Sequence, residues 1–207
     1  MLISSSSAGC VPLKTEHGCD IISSKERENI IKSDSKILFY DDSDNLKKNI
    51  SSTPKDLKYK STDEPSKDSL LSLNYIKDNV ASKLIGESLE SSDTKNRGQS
   101  LERKVISLLG YSEDSKLVGG YPDVPNQLLE VKVQDTQTVD LGKYTPQFEE
   151  IVNDKLKLTT YDVRYLIALT NPTTNVIEGV VLSNGENLGK KFTYVSDTSY
   201  KCQRSIP

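Results

Sequence analysis

The sequence predicts an α/β protein with a mixed central β-sheet flanked by helices. Three observations lead there. Apolar residues recur at helical spacing over residues 70–85, residues 163–170 form an almost unbroken apolar run, and short extended stretches lie between the helical segments.

Residues 1–65 are rich in Ser, Lys, Asp and Asn and are expected to form a polar, weakly ordered or peripheral N-terminal region; residues 66–207 then carry the main domain. Within the first part, residues 20–32 place Ile21, Ile22, Ile30 and Ile31 at helical positions, and residues 36–40 suit a strand. From Ser69 the pattern changes. Leu70, Leu71, Leu73, Ile76, Val80, Leu84 and Ile85 predict an amphipathic helix over 68–89. A polar break at 91–98 precedes a second helix over 99–109, which Gly110 is placed to end. Extended pieces at 116–118 and 121–124 lead into a strand over 128–134. Thr145 and Pro146 have the chemistry of an N-cap and first helical residue, predicting a helix to about 156 with Phe148, Ile151, Val152 and Leu156 inward. The apolar run 163–170 suits a central strand covered on both faces. Residues 171–175 form a turn, and 176–182 the next strand.

Composition excludes several function classes. The net charge is −3, and from Gly98 onward 12 Lys and Arg face 14 Asp and Glu, so any nucleic-acid site must be local. His17 is the one histidine and lies in a polar stretch, which excludes histidine-based hydrolysis and most zinc chemistry. Cys10, Cys19 and Cys202 have no metal-ligand spacing, and their odd number argues against a disulfide framework. The first ten residues lack a basic start and a long apolar run, so no signal peptide is expected. No apolar run approaches the roughly 18 residues that span a bilayer. A cytoplasmic protein without membrane association is expected. The phosphate-binding Gly-x-x-x-x-Gly-Lys-Ser/Thr loop is absent, so no nucleotide cofactor is expected.

Chemistry concentrates between residues 99 and 134. In the strand Leu128-Leu129-Glu130-Val131-Lys132-Val133-Gln134, the alternation puts Leu129, Val131 and Val133 on one face and Glu130, Lys132 and Gln134 on the other. Upstream, Gly119-Gly120-Tyr121-Pro122-Asp123 presents a second carboxylate. Six residues separate Asp123 from Glu130, which suits a tight connection bringing both to one edge with Lys132. Two carboxylates can hold Mg²⁺ through oxygen, and a neighbouring lysine can orient water and offset charge in phosphodiester hydrolysis. The acid-x-Lys tripeptide also occurs at Asp34/Lys36, Asp56/Lys58, Asp93/Lys95 and Asp114/Lys116, so alone it carries little weight. A half-exposed strand with polar residues toward water would alternate in the same way. Glu102 lies three, four and seven residues before Val105, Ile106 and Leu109, which places a carboxylate on or beside the buried helix face. It is either part of a metal site or paired with Arg103, Lys104 or a neighbouring segment.

A helix with Glu102, then Pro122-Asp123, then Glu130-Val131-Lys132, then helix and strand, resembles the PD-(D/E)xK nuclease superfamily over roughly residues 98–182. Type II restriction endonucleases are the most similar class. The resemblance implies a restriction-endonuclease-like core and a Mg²⁺-dependent endonuclease acting on double-stranded DNA, commonly as a homodimer. It implies that Asp123 and Glu130 bind Mg²⁺, that Lys132 assists the water, and that Glu102 supports the metal directly or through water. Gln134 resembles a position that some members use near substrate. Lys143 and Tyr144, which leave the catalytic strand, are further possible substrate contacts, as are Lys190, Lys191, Lys201 and Arg204. A structure-specific repair or resolvase nuclease, and a non-catalytic DNA-binding protein on the same fold, remain open alternatives.

Overall fold

The computed structural model describes residues 10–15, 19–50, 59–90, 94–111, 122–136, 138–141, 146, 149–194 and 199–204. In chain order, β1 (Cys10–Thr15) and β2 (Cys19–Ile22) precede α1 (Ser24–Lys32), whose N-cap Ser23 accepts from Glu26 N–H. Next come β3 (Ile37–Phe39) and the short α2 (Asp44–Lys47). A continuous helical stretch follows as α3 (Leu73–Ile76), a π-helical turn (Lys77–Ala81) and α4 (Ser82–Leu84). After α5 (Thr94–Leu108) and a 3₁₀ turn (Pro125–Gln127) come β4 (Leu129–Gln134), β5 (Thr138–Asp140), β6 (Ile151–Asn153) and β7 (Leu158–Thr159). The chain continues through β8 (Arg164–Thr170), β9 (Ile177–Asn184), α6 (Gly185–Leu188), β10 (Phe192–Tyr194) and β11 (Ser199–Arg204).

The central sheet has the order β3-β9-β8-β4 and is mixed: β4 runs parallel to β8, β8 antiparallel to β9, and β9 parallel to β3. Its two faces bury two clusters, and β8 explains the apolar run that marked it. Leu166 and Ala168 point to one cluster with Leu129, Val131, Val180 and the helical residues Ile76, Val80, Leu101 and Val105. Tyr165, Ile167 and Leu169 point to the other, with Ile22, Ile30, Leu46, Val139 and Phe192. A strand covered on both faces needs apolar residues at successive positions. The three-stranded sheet β10-β2-β5 contributes Phe192, Ile22 and Val139 to this second cluster.

The structure corrects several expectations. The N-terminal stretch is not peripheral where it is described. β3 pairs with β9 in the central sheet, and Ile22, Ile30 and Leu46 are core residues. Among the described residues of 145–156 the expected helix is absent. Ile151–Asn153 and Leu158–Thr159 form an antiparallel pair instead, with Lys157 in the left-handed region at φ 54°. The Asn153 side chain accepts Leu156 N–H at 2.8 Å, a turn chemistry that competes with helix. Ile151, expected inward, is 60% exposed; residues 145, 147 and 148 lie outside the described set. The helix predicted over 68–89 is confined to Leu73–Leu84, and α5 begins at Thr94, inside the expected polar break. The extended piece at 116–118 lies outside the described residues.

One charge is wholly enclosed by this packing. Arg164, the first residue of β8, is fully buried and donates to Asp42 Oδ1 at 2.8 Å, to Leu71 O at 2.7 Å and to Gln127 O at 3.1 Å. Asp42 in turn accepts Leu73 N–H at 2.8 Å, where α3 begins. Removing one member of such a pair leaves the other charge buried without its counter-ion, at a cost of about 3–5 kcal/mol. Urea unfolding of Asp42→Asn is expected to show a loss of that size. Asp42→Asn combined with Arg164→Met should recover part of it, and equal stability of the wild type and Asp42→Asn would contradict this account.

Candidate active site at the edge strand

The site begins with the turn that delivers β4. Val124 and Leu129 exchange backbone hydrogen bonds at 2.9 and 3.2 Å across the 3₁₀ turn, and Leu128 closes the turn at φ 52°. A leucine in the left-handed region is strained, and burial of its side chain in the second cluster holds it there. Buried amides then lock the turn. Gln127 accepts Leu71 N–H at 3.0 Å and donates to Ser69 O and to the Tyr111 hydroxyl, both at 2.7 Å. Tyr111 donates to Asn126 Oδ1 at 2.7 Å, and Asn126 donates through Nδ2 to Glu64 O at 3.1 Å and through its backbone N–H to Ser61 O at 3.0 Å. Burial pushes the Tyr111 hydroxyl pKa well up, keeping it neutral and able to donate.

With the turn fixed, Asp123 and Glu130 face each other. Asp123 N–H donates to Glu130 Oε2 at 3.0 Å, and Val131 N–H donates to Asp123 Oδ2 at 2.9 Å. Each carboxylate thus binds a main-chain N–H of the other's segment. Lys132 Nζ contacts Glu130 Oε1 and lies 3.6 Å from Asp123 Oδ2. Of the residues predicted from sequence, the structure brings Asp123, Glu130 and Lys132 into one cluster on the sheet edge.

Electrostatics show what this cluster lacks. Burial, with the Asp123 charge adding to it, raises the Glu130 carboxyl pKa against the opposing pull of Lys132. Burial also works against the Lys132 charge, yet Glu130, Asp123 and Glu102 outweigh it and raise the pKa, so the lysine stays an ammonium. Glu102 on α5 is pushed up to about 7, first by burial and then by Asp123, with Lys132 and Arg103 opposing. Three carboxyl groups therefore share one neighbourhood with one partly buried ammonium, which favours protons or a further cation.

The donor set is oxygen-only and suits a hard cation such as Mg²⁺ rather than a soft one. The Lys132 ammonium already stands in for a cation on the two carboxylates, so Asp123 and Glu130 fit a metal as a pair. Among the described residues no three His, Cys, Asp or Glu side chains come together as a metal-holding group. Glu102, expected as a third ligand, is linked to the pair here through its charge. Gln134 shares the face of Glu130 and Lys132 but is 1% exposed, and among the described residues neither Nε2 nor Oε1 has a hydrogen-bond partner. Lys143 and Tyr144 lie outside the described residues. Lys190 sits 5.2 Å over the Tyr40 ring and Lys191 pairs with Glu26 at 3.1 Å, so both engage the protein itself. Lys201 and Arg204 fall on β11, which pairs with β1.

Sequence reasoning did not find the supports: Asp42, Tyr111, Asn126, Gln127 and Arg164. Only Arg164 left a trace, as a lone charge opening an apolar strand, where a buried ion needs a partner. At the far end of β4, Arg97 of α5 donates to Asp135 Oδ2 at 2.8 Å and to Asn175 Oδ1 at 3.0 Å, tying the helix to the strand end. Comparison of the chain with protein-family models, with curated proteins and with solved structures finds no match in any of the three. No helix among the described residues is long and apolar enough to cross a membrane.

The raised Glu102 pKa has a signed consequence. Folding favours its protonated form, so the stability it lends is complete below the ordinary carboxyl range and is lost as pH rises through about 7. Between about pH 5 and pH 8, without added metal, the wild type should therefore lose more melting temperature than Glu102→Gln. Parallel pH profiles for the two proteins would show that Glu102 titrates as it would in the unfolded chain.

Proposed function

We propose that this protein is a Mg²⁺-dependent nuclease of the PD-(D/E)xK kind, with a restriction-endonuclease-like core, that hydrolyses phosphodiester bonds in double-stranded DNA. The observation that carries the reading is the cluster of Asp123, Glu130 and Lys132, in which two mutually clasped carboxylates share one lysine. An ordinary solvated strand does not require a nearly buried glutamate beside a second carboxylate, because burying like charges together is costly.

Asp123 and Glu130 would hold the metal. When bound, Mg²⁺ supplies Lewis-acid chemistry, polarising a phosphoryl oxygen and stabilising the leaving oxygen. The chain's own residues do the rest. The Lys132 ammonium, held beside the two carboxylates, would donate to a phosphate oxygen or to the attacking water and offset developing negative charge. Glu102, whose carboxyl is raised to about 7 by burial and the Asp123 charge, would support the metal directly or through water. A site-specific type II restriction enzyme is the form of this function the residues resemble most, and a homodimer would place one such site on each strand.

Purified protein incubated with plasmid and phage DNA, with Mg²⁺ or with EDTA, tests the reading. Discrete Mg²⁺-dependent fragments are expected. Nicking at junctions or a smear would keep the nuclease and shift the substrate to branched or damaged DNA. Asp123→Asn and Lys132→Met are each expected to slow cleavage by about 10²-fold or more. Metal-dependent DNA binding without cleavage under any divalent cation would instead identify a binding protein.

A further inference from the structure

Helix α5 carries Glu102, and apolar packing alone does not fix where along β4 the helix rests. Leu101, Val105 and Leu109, all in the first cluster, recur every four residues. A slip of one turn, about 5.4 Å, would put each of them where its like had been and return nearly the same face to the sheet. The same slip would carry Glu102 away from the carboxylate pair. The register therefore needs a second, more directional constraint.

Buried polar bonds supply it at both ends of the helix, which runs antiparallel to β4. Near its start, Arg97, 5% exposed, donates to Asp135 Oδ2 at 2.8 Å, just past β4, and to Asn175 Oδ1 at 3.0 Å, between β8 and β9. Past its other end, the buried Tyr111 hydroxyl donates to Asn126 Oδ1 and accepts from Gln127 Nε2, both at 2.7 Å, in the turn before β4. A slip of one turn breaks these bonds and strands buried polar groups, which is costly. Glu102 lies five residues past Arg97, about 7.5 Å of helix rise. The same distance back along β4 from Asp135 is about two to three residues, the level of Lys132 and Val133. The charge interaction of Glu102 with Asp123 and Lys132 agrees with that level.

We propose that Arg97 and Tyr111 are positioning residues that clamp the register of α5 on β4 and so hold Glu102 beside the metal-binding pair Asp123 and Glu130. The inference rests on the nuclease reading above. Neither residue touches the metal or the substrate; both act through Glu102. Because Glu102 joins the pair through its charge, and such interactions fall with distance, the register sets how much it adds to the binding of a cation there.

The test is equilibrium Mn²⁺ binding to the full chain without DNA, read from the EPR signal of the free ion, with thermal melts alongside. Glu102→Gln should weaken binding, and Arg97→Lys and Tyr111→Phe should each weaken it about 10-fold. Added to Glu102→Gln, either change should cost less than about a further 2-fold, because the route through Glu102 is already gone. Leu46→Ala, which opens the second cluster far from the clamp, should lower the melting temperature and leave Mn²⁺ affinity unchanged. Should Arg97→Lys fail to fold, Asn175→Gly takes its place, since glycine suits the left-handed turn at φ 57° and removes one acceptor of Arg97. Unchanged affinity in the folded clamp variants, beside a weakened Glu102→Gln, would overturn the clamp alone. So would a loss that persists in full in the Glu102→Gln background, or an equal loss in Leu46→Ala. Equal binding by the wild type and Glu102→Gln would overturn the inference and leave Asp123 and Glu130 as the metal pair. A wild type that binds no Mn²⁺ would overturn the metal-dependent nuclease reading and this inference with it.

Discussion

Arg164 begins β8 in the middle of the central sheet, where no water reaches its guanidinium. In such a place a guanidinium must find an anion and carbonyl acceptors, because an uncompensated buried charge costs more than most domains have to spare. Its partners come from three distant parts of the chain: Asp42 after β3, Leu71 before α3, and Gln127 in the turn before β4. One side chain therefore fixes the N-terminal segment, the start of the first long helical stretch and the entry to the edge strand relative to one another. Asp123 and Glu130 flank that turn, so the geometry of the candidate site inherits the constraint.

A second polar layer refines it. Tyr111, Asn126 and Gln127 satisfy one another and the carbonyls of Ser61, Glu64 and Ser69, in a region from which water is excluded. A fully satisfied buried network has few alternative arrangements, because any slip strands several donors at once. That stiffness suits a site whose two carboxylates must hold fixed positions. The cluster itself is the opposite case: acid-rich and held together by one ammonium, with Glu102 and Glu130 both raised toward neutral protonation. A surrounding structure rigid enough to hold such a centre is what a hydrolytic site requires.

The legible parts of this chain were those governed by local period. In β4 the two-residue repeat is enough to put Glu130, Lys132 and Gln134 on one face, whatever the strand pairs with. The helical repeat likewise placed Glu102 beside the buried face of α5, where burial first and then the Asp123 charge raise its pKa against Lys132. Signals that compete locally were misread. Thr145-Pro146 has helix-starting chemistry, yet Ile151–Asn153 gains a ladder with Leu158–Thr159 and a turn built on the Asn153 side chain, and pairing outweighs propensity. The N-terminal stretch was hidden by averaging. Its few apolar residues are diluted by serine and lysine, but Ile22, Ile30 and Leu46 each fill a place in the core.

By itself the sequence determined the α/β class, the central strand β8, and the polar row that carries an acid and a lysine on one face. These depend on spacing along the chain, which backbone geometry converts directly into direction. Only the tertiary structure decided that Glu130 accepts the Asp123 N–H while Asp123 accepts the Val131 N–H, that Arg164 meets Asp42, and that Gln134 is enclosed without a side-chain partner among the described residues. Those outcomes depend on which segments exclude water from which atoms. Desolvation is a property of neighbours up to 122 positions away in the chain, as Arg164 and Asp42 are, and no local pattern encodes it.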